Sequence, residues 1–144
     1  MAGTRRTISP EGLLCGTWLA CFAICMLLPW VSFLQSNIEM DTLEKALTAV
    51  SDVYSANLAV ILGFFFHQRI KTKRGTVAES AKLVGLAATL LWNIFVVGCF
   101  AATVTNALST TQATMLASQI APKLSWLVAP LLGYFFAAPK AAEA

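Results

Sequence analysis

The stretch LLCGTWLACFAICMLLPWVSFLQSNI, residues 13–38, contains no charged side chain, and neither do residues 83–122. A helix needs roughly 20 apolar residues to cross the hydrocarbon core of a bilayer, which is about 30 Å thick. Each stretch is therefore long enough for one crossing. Only 12% of the 144 residues are charged and 58% are hydrophobic, whereas a soluble domain averages about 25% charged residues. The composition is that of an integral membrane protein.

Four membrane spans are predicted from the positions of the charges and prolines. Pro122 and Lys123 are expected to interrupt the chain just before the last span, since proline breaks the helical hydrogen-bond ladder. Arg5 and Arg6 precede the first apolar run, as in a signal peptide, but the run exceeds the roughly 7–15 residues of such a signal. The predicted spans are residues 12–34, 53–70, 81–104 and 124–138.

The polar segment 35–52 has the spacing of an amphipathic helix, with apolar residues three and four positions apart. These residues are Leu43, Leu47, Val50 and Tyr54. We expect one helix that begins near Asp41 or Thr42, outside the membrane, and continues into the second span. A similar amphipathic piece precedes Pro122.

Basic and acidic residues alternate between the predicted loops. Basic side chains follow the second span at Arg69, Lys71, Lys73 and Arg74, and others lie near the two ends of the chain. Acidic side chains precede that span at Glu39, Asp41, Glu44 and Asp52. The positive-inside rule then predicts cytoplasmic N and C termini, most simply in the inner (plasma) membrane of a cell. We expect the basic loop to contact anionic lipid and the acidic residues to form an outer acidic face. No basic stripe with interleaved aromatics indicates nucleic-acid binding.

A weak internal repeat relates the two halves of the chain. LGFFF at residues 62–66 recurs as LGYFF at residues 132–136, and Trp18 and Cys25 share their spacing with Trp92 and Cys99. Repeats that enter from the same side are related by an axis along the membrane normal. The predicted fold is thus an all-α transmembrane four-helix bundle of two tandem, parallel-related helical hairpins with amphipathic outer extensions. The hairpins are residues 1–74 and 75–144.

Two asparagines, Asn57 and Asn93, fall inside predicted spans, where each needs a hydrogen-bond partner. We expect them to bond to each other and join the two hairpins. The alternatives are a contact between protomers or a water-lined path. Small residues permit close helix contact, so Gly16, Gly63 and Gly133 are the candidate helix-contact or pore-lining positions.

Nothing in the sequence indicates catalysis. No ionisable residue lies deep in a span, the four cysteines form no Cys-x-x-Cys pair, and His67 is the one histidine. We therefore expect no enzyme, no catalytic or metal-binding residue and no cofactor. The favoured function is a small integral subunit that packs by its helices into a larger membrane assembly, with lipid and other membrane chains, unlike or identical, as partners. The alternative is a homo-oligomeric ion channel or pore-forming effector. In it the Asn57 face would line the path and the acidic helix would ring the mouth.

Overall fold

The computed structural model describes residues 10–35, 37–68 and 79–137. These residues form four helices: α1 (Pro10–Leu34), α2 (Met40–Gln68), α3 (Glu79–Val104) and α4 (Thr110–Ala137). Three of them contain segments long and apolar enough to cross a membrane, namely Gly12–Leu34, Met40–Gly63 and Leu83–Val104. The prediction of an all-helical, membrane-type fold is confirmed at this level. The basic loop residues Arg69, Lys71, Lys73 and Arg74 lie outside the described residues.

The second helix is continuous from its polar start into its apolar part, as predicted. It begins at Met40, close to the predicted start near Asp41 or Thr42, and both of these residues lie inside the first turn. Asp41 accepts a bond from Lys45 one turn later, with 2.6 Å between Nζ and Oδ2. A carboxylate in the first turn also interacts favourably with the free N–H groups of a helix start.

The fourth helix runs through both of its prolines, so the predicted interruption at Pro122 is wrong. A proline inside a helix removes one hydrogen bond and costs about 3 kcal/mol. The residue before Pro122 is held by packing and by two side-chain hydrogen bonds. Ala121 is fully buried, and its carbonyl accepts a bond from Trp92 Nε1 at 3.0 Å. The Ser125 hydroxyl donates to the same carbonyl, also at 3.0 Å.

The connection between α3 and α4 is tightly defined by local hydrogen bonds. Asn106 ends α3 with a positive φ of 57°, and the N–H of Ala107 bonds to the carbonyl of Ala102, the pattern of a Schellman motif. Ser109 then caps α4. Its hydroxyl accepts from the N–H of Gln112, whose side chain accepts from the N–H of Ser109. This reciprocal pair is a capping box.

Each helix packs extensively against two others. α1 contacts α2 and α3, and α4 contacts α2 and α3. α1 therefore lies beside α3, and α2 lies beside α4. The relation of residues 1–74 to residues 75–144 as tandem hairpins stays a prediction.

Candidate helix-contact site

Three large aromatic side chains from three helices meet at the centre of the protein. Trp18 of α1, Tyr54 of α2 and Trp92 of α3 are all buried. The ring centroids of Trp18 and Trp92 lie 4.7 Å apart, and the Tyr54 ring stands edge-on to both, at 5.8 Å and 5.2 Å. Such edge-to-face pairs add about 0.5–1.5 kcal/mol beyond the area they bury. The two tryptophans that share a spacing in the sequence therefore pack directly on each other.

A chain of hydrogen bonds crosses the same region. The Tyr54 hydroxyl donates to Oδ1 of Asn93 at 3.1 Å, and Asn93 Nδ2 donates to the carbonyl of Thr89 at 2.9 Å. The Cys25 Sγ lies 3.5 Å from the Tyr54 oxygen. Because the single hydroxyl proton of Tyr54 is used toward Asn93, the Cys25 thiol is the donor in that contact. One phenol thus connects α1, α2 and α3.

The expected bond between Asn57 and Asn93 is not among the hydrogen bonds of the described residues. Asn93 bonds to Tyr54 instead. Asn57 is 6% exposed and lies one turn beyond Tyr54 on α2. Tyr54 was recognised in the sequence only as an apolar position, because the direction of its hydroxyl depends on how α2 and α3 are rotated toward each other.

Two of the three predicted glycine positions, Gly16 and Gly63, do not contact other helices within the protomer. Gly16 and Gly63 are exposed, and a Cβ built on either would meet nothing within 4 Å. Gly133 lies in α4, and its surroundings fall outside what the structure describes. Four alanines are fully buried, three of them at four-residue spacing on one face of α4. They are Ala46, Ala113, Ala117 and Ala121, all 0% exposed.

The acidic residues lie on the side of the protein formed by α2 and α4. Three of them border a groove of about 580 Å³ between these helices, and Glu39 borders a second pocket between the α1–α2 and α3–α4 connections. Asp41 with Lys45 is the one ion pair within the described part of the chain, so Asp52 and Glu44 lack a cationic partner there. The groove is lined by Asp41, Glu44, Lys45, Thr48, Ala49, Asp52, Val53, Ser118 and Pro122. We refer to it as the α2/α4 groove.

The central contacts also establish which residues share a level along the helices. Trp18, Tyr54 and Trp92 contact one another, and Trp92 bonds to the carbonyl of Ala121. Asp52 and Lys123 are each two residues from that level, and so lie within one helical turn of it. From this level toward their C-terminal ends, α1 contains no charged residue as far as Leu34, and α3 contains none as far as Val104. Those uncharged segments are about 24 Å and 18 Å long.

The charge-free parts of α1 and α3 are therefore offset, along the helix axes, from the charge-free parts of α2 and α4. α2 and α4 are uncharged from Val53 and Leu124 toward their C-terminal ends, whereas α1 and α3 are uncharged mainly in the opposite direction. Asp52 and Lys123 are both exposed. At the depth where α1 presents Leu27, 62% exposed, the α2/α4 side presents charged and hydroxyl side chains.

The hydrogen bond between Tyr54 and Asn93 predicts energetic coupling. We expect Tyr54→Phe and Asn93→Leu to be non-additive in the free energy of unfolding, by about 0.6–2 kcal/mol. Reversible unfolding in mixed micelles measures both single variants and the double variant. As a control, Tyr54→Phe is combined with Ser32→Ala, which removes the separate Ser32–Thr103 contact at 3.1 Å. That pair should be additive, and additivity for Tyr54 and Asn93 as well would contradict the bond.

Comparison with known proteins provides no relative: no family model matches the chain, and neither does any curated protein or solved structure.

Proposed function

We propose that this protein is a non-enzymatic small integral membrane subunit, which packs by its helices into a larger membrane protein assembly. The observation that carries the proposal is the offset between the charge-free parts of α1 and α3 and those of α2 and α4. A protomer alone in a bilayer would expose Asp52 and Lys123 at the depth of the apolar outer surface of α1.

Such exposure is energetically unfavourable. Insertion scales assign about 2.5–3.5 kcal/mol to an Asp or Lys at the centre of a membrane helix. Charged residues in spans consequently face other helices or water rather than lipid. The α2/α4 groove is therefore the surface that another chain covers. The exposed Gly63 allows a further close contact of α2 with a neighbouring helix.

The full topology belongs to this proposal. In it, α4 is a fourth crossing, whose apolar part begins after Lys123 and whose outer part is shielded by α2 and by the partner. The two hairpins form one four-helix bundle. By the positive-inside rule, the excess of Lys and Arg in residues 69–74 favours a cytoplasmic position for that segment and for both termini, at the plasma membrane.

A homo-oligomeric cation channel is the second candidate, because charged and hydroxyl side chains line the α2/α4 groove. Rings of carboxylates favour cations, and Asp41, Glu44 and Asp52 all border the groove. The path would then be lined by Asp52 rather than by Asn57, whose side chain is buried inside the protomer.

Site-specific photo-crosslinking in the native membrane tests the proposal. A photo-reactive amino acid replaces Thr48 in the groove, and in a matched variant it replaces Leu27 on the outer surface of α1. We expect protein adducts with unlike chains from position 48 and only lipid adducts from position 27. If position 48 crosslinks only to further copies of this 15.4 kDa chain, and if the protein conducts an ion flux that Asp52→Asn reduces, the channel is favoured. Only lipid adducts at position 48 would refute both.

A further inference from the structure

A polar pocket lies between the α1–α2 and α3–α4 connections, and we refer to it as the connection pocket. It encloses about 650 Å³, within the range of roughly 300–1,000 Å³ that is usual for small-molecule sites. Apart from Ile38 and Leu108, every residue that borders it carries a hydroxyl, amide or carboxylate group. The candidate spans of α1 and α3 end at Leu34 and Val104, so the pocket lies beside the ends of these apolar segments.

Thr110 supplies a buried polar group without a partner to this pocket. It borders the pocket and is 5% exposed, but its hydroxyl makes no hydrogen bond within the described part of the chain. Thr103, which is also buried there, differs, because its hydroxyl donates to the carbonyl of Phe100 at 2.7 Å and contacts Ser32. A buried hydroxyl without a partner is energetically unfavourable, so the Thr110 hydroxyl is free to bond to a ligand.

The start of α4 adds further hydrogen-bond donors on the same side of the pocket. Ser109 caps the N–H of Gln112, but Thr110 and Thr111 precede that residue, where no helical carbonyl can accept from their N–H groups. The first turn of α4 contains no acidic residue, whereas the first turn of α2 contains Asp41. The positive end of the α4 dipole is therefore not compensated from within the helix, and it favours an anionic group.

The opposite side of the pocket carries a negative charge. Glu39, directly before α2, is the one charged residue that borders the pocket. It is exposed and forms no ion pair within the described residues, where Asp41 pairs with Lys45. A carboxylate of this kind favours a cationic donor such as a primary ammonium group.

We propose that the connection pocket binds a small zwitterion, in which one molecule carries both a primary ammonium group and a phosphate or carboxylate group. The anionic group lies at the start of α4, against the Thr110 hydroxyl, and the ammonium group lies at Glu39. A simple anion would meet the carboxylate of Glu39, and a simple cation would meet the positive end of α4, so neither matches both sides of the pocket. Free phosphoethanolamine and the headgroup of phosphatidylethanolamine share this chemistry. The inference does not depend on which chain covers the α2/α4 groove.

NMR titration of the full-length, isotope-labelled protein tests the proposal. The protein is placed in nanodiscs of phosphatidylcholine, whose quaternary ammonium group has no N–H to donate, and phosphoethanolamine, ethanolamine and inorganic phosphate are added separately. We expect phosphoethanolamine to bind about fivefold more tightly than either of its halves, because it gains a second charged contact. Its chemical-shift changes should centre on residues 37–42 and 106–111. Equal affinities for phosphoethanolamine and one of its halves would overturn the proposal.

Two variants and a control assign the two ends of the ligand. Glu39→Gln should weaken the binding of phosphoethanolamine about fivefold without weakening that of phosphate, whereas Thr110→Val should weaken both. Glu44→Gln is the matched control, because it removes the same charge from α2 but does not border the connection pocket, and it should leave binding unchanged. Equal losses for Glu44→Gln and Glu39→Gln, or full affinity in Thr110→Val, would contradict the assignment.

A change of nanodisc lipid distinguishes the two sources of the zwitterion. In phosphatidylethanolamine nanodiscs, a lipid headgroup that occupies the pocket would compete and lower the apparent affinity for free phosphoethanolamine. An affinity equal to that in phosphatidylcholine would assign the pocket to a soluble zwitterion. Both results support a zwitterion site, and they differ only in where the ligand comes from.

Discussion

Replacing Trp92 by alanine is expected to lower the free energy of unfolding by about 3–5 kcal/mol. Trp92 is buried, packs against Trp18 and Tyr54, and donates its indole N–H to the carbonyl of Ala121. The substitution therefore leaves a cavity where three helices meet. It also removes one of the two side-chain donors to the carbonyl of Ala121, the residue before Pro122. The hydrogen bond that is lost joins Trp92 of α3 to the proline-containing part of α4.

Reversible unfolding in mixed micelles, followed by circular dichroism, measures this effect. Trp126→Ala is the matched control, because Trp126 lies on α4 only a few residues from Ala121 but is 68% exposed. A surface change of this kind usually stays within about 0.5 kcal/mol. Equal losses for the two variants would contradict the assignment of Trp92 to the core.

Leucine at position 117 is expected to destabilise the protein by about 1–3 kcal/mol through overpacking. Ala117 is fully buried between Ala113 and Ala121 on the face of α4 that packs inside the protein. Alanine there allows close approach of the neighbouring helices. A larger side chain must push them apart, and this would also weaken the contacts of α4 with α2 and α3.

The same substitution at an exposed alanine separates packing from helix propensity. Ala129 lies farther along α4 and is exposed, so Ala129→Leu adds the same atoms without a steric conflict. Unfolding and gel-filtration profiles of both variants in detergent provide the comparison. If Ala117→Leu were as stable as Ala129→Leu, the face of α4 that carries Ala113, Ala117 and Ala121 would not be the packed one.

The sequence by itself determined the helical elements and their membrane character. Long charge-free stretches and the three-four spacing of apolar residues are local properties, since each depends on neighbours along one helix. They predicted α1 nearly to the residue and the continuity of α2 from its polar start. The Trp18–Trp92 correspondence also came from spacing alone, although its meaning as a direct contact did not.

The tertiary structure decided which residues of different helices contact one another. Which side chain meets Asn93, whether α4 continues through Pro122, and which small residues lie at contacts all depend on the rotation and relative height of neighbouring helices. Periodicity in one helix carries no information about the height of the next, so the burial of Ala113, Ala117 and Ala121 could not be read from the sequence. The offset of the charge-free segments appears only once Trp18, Tyr54, Trp92 and Ala121 align the four helices, because that packing brings Asp52 and Lys123 to the depth of uncharged α1 and α3.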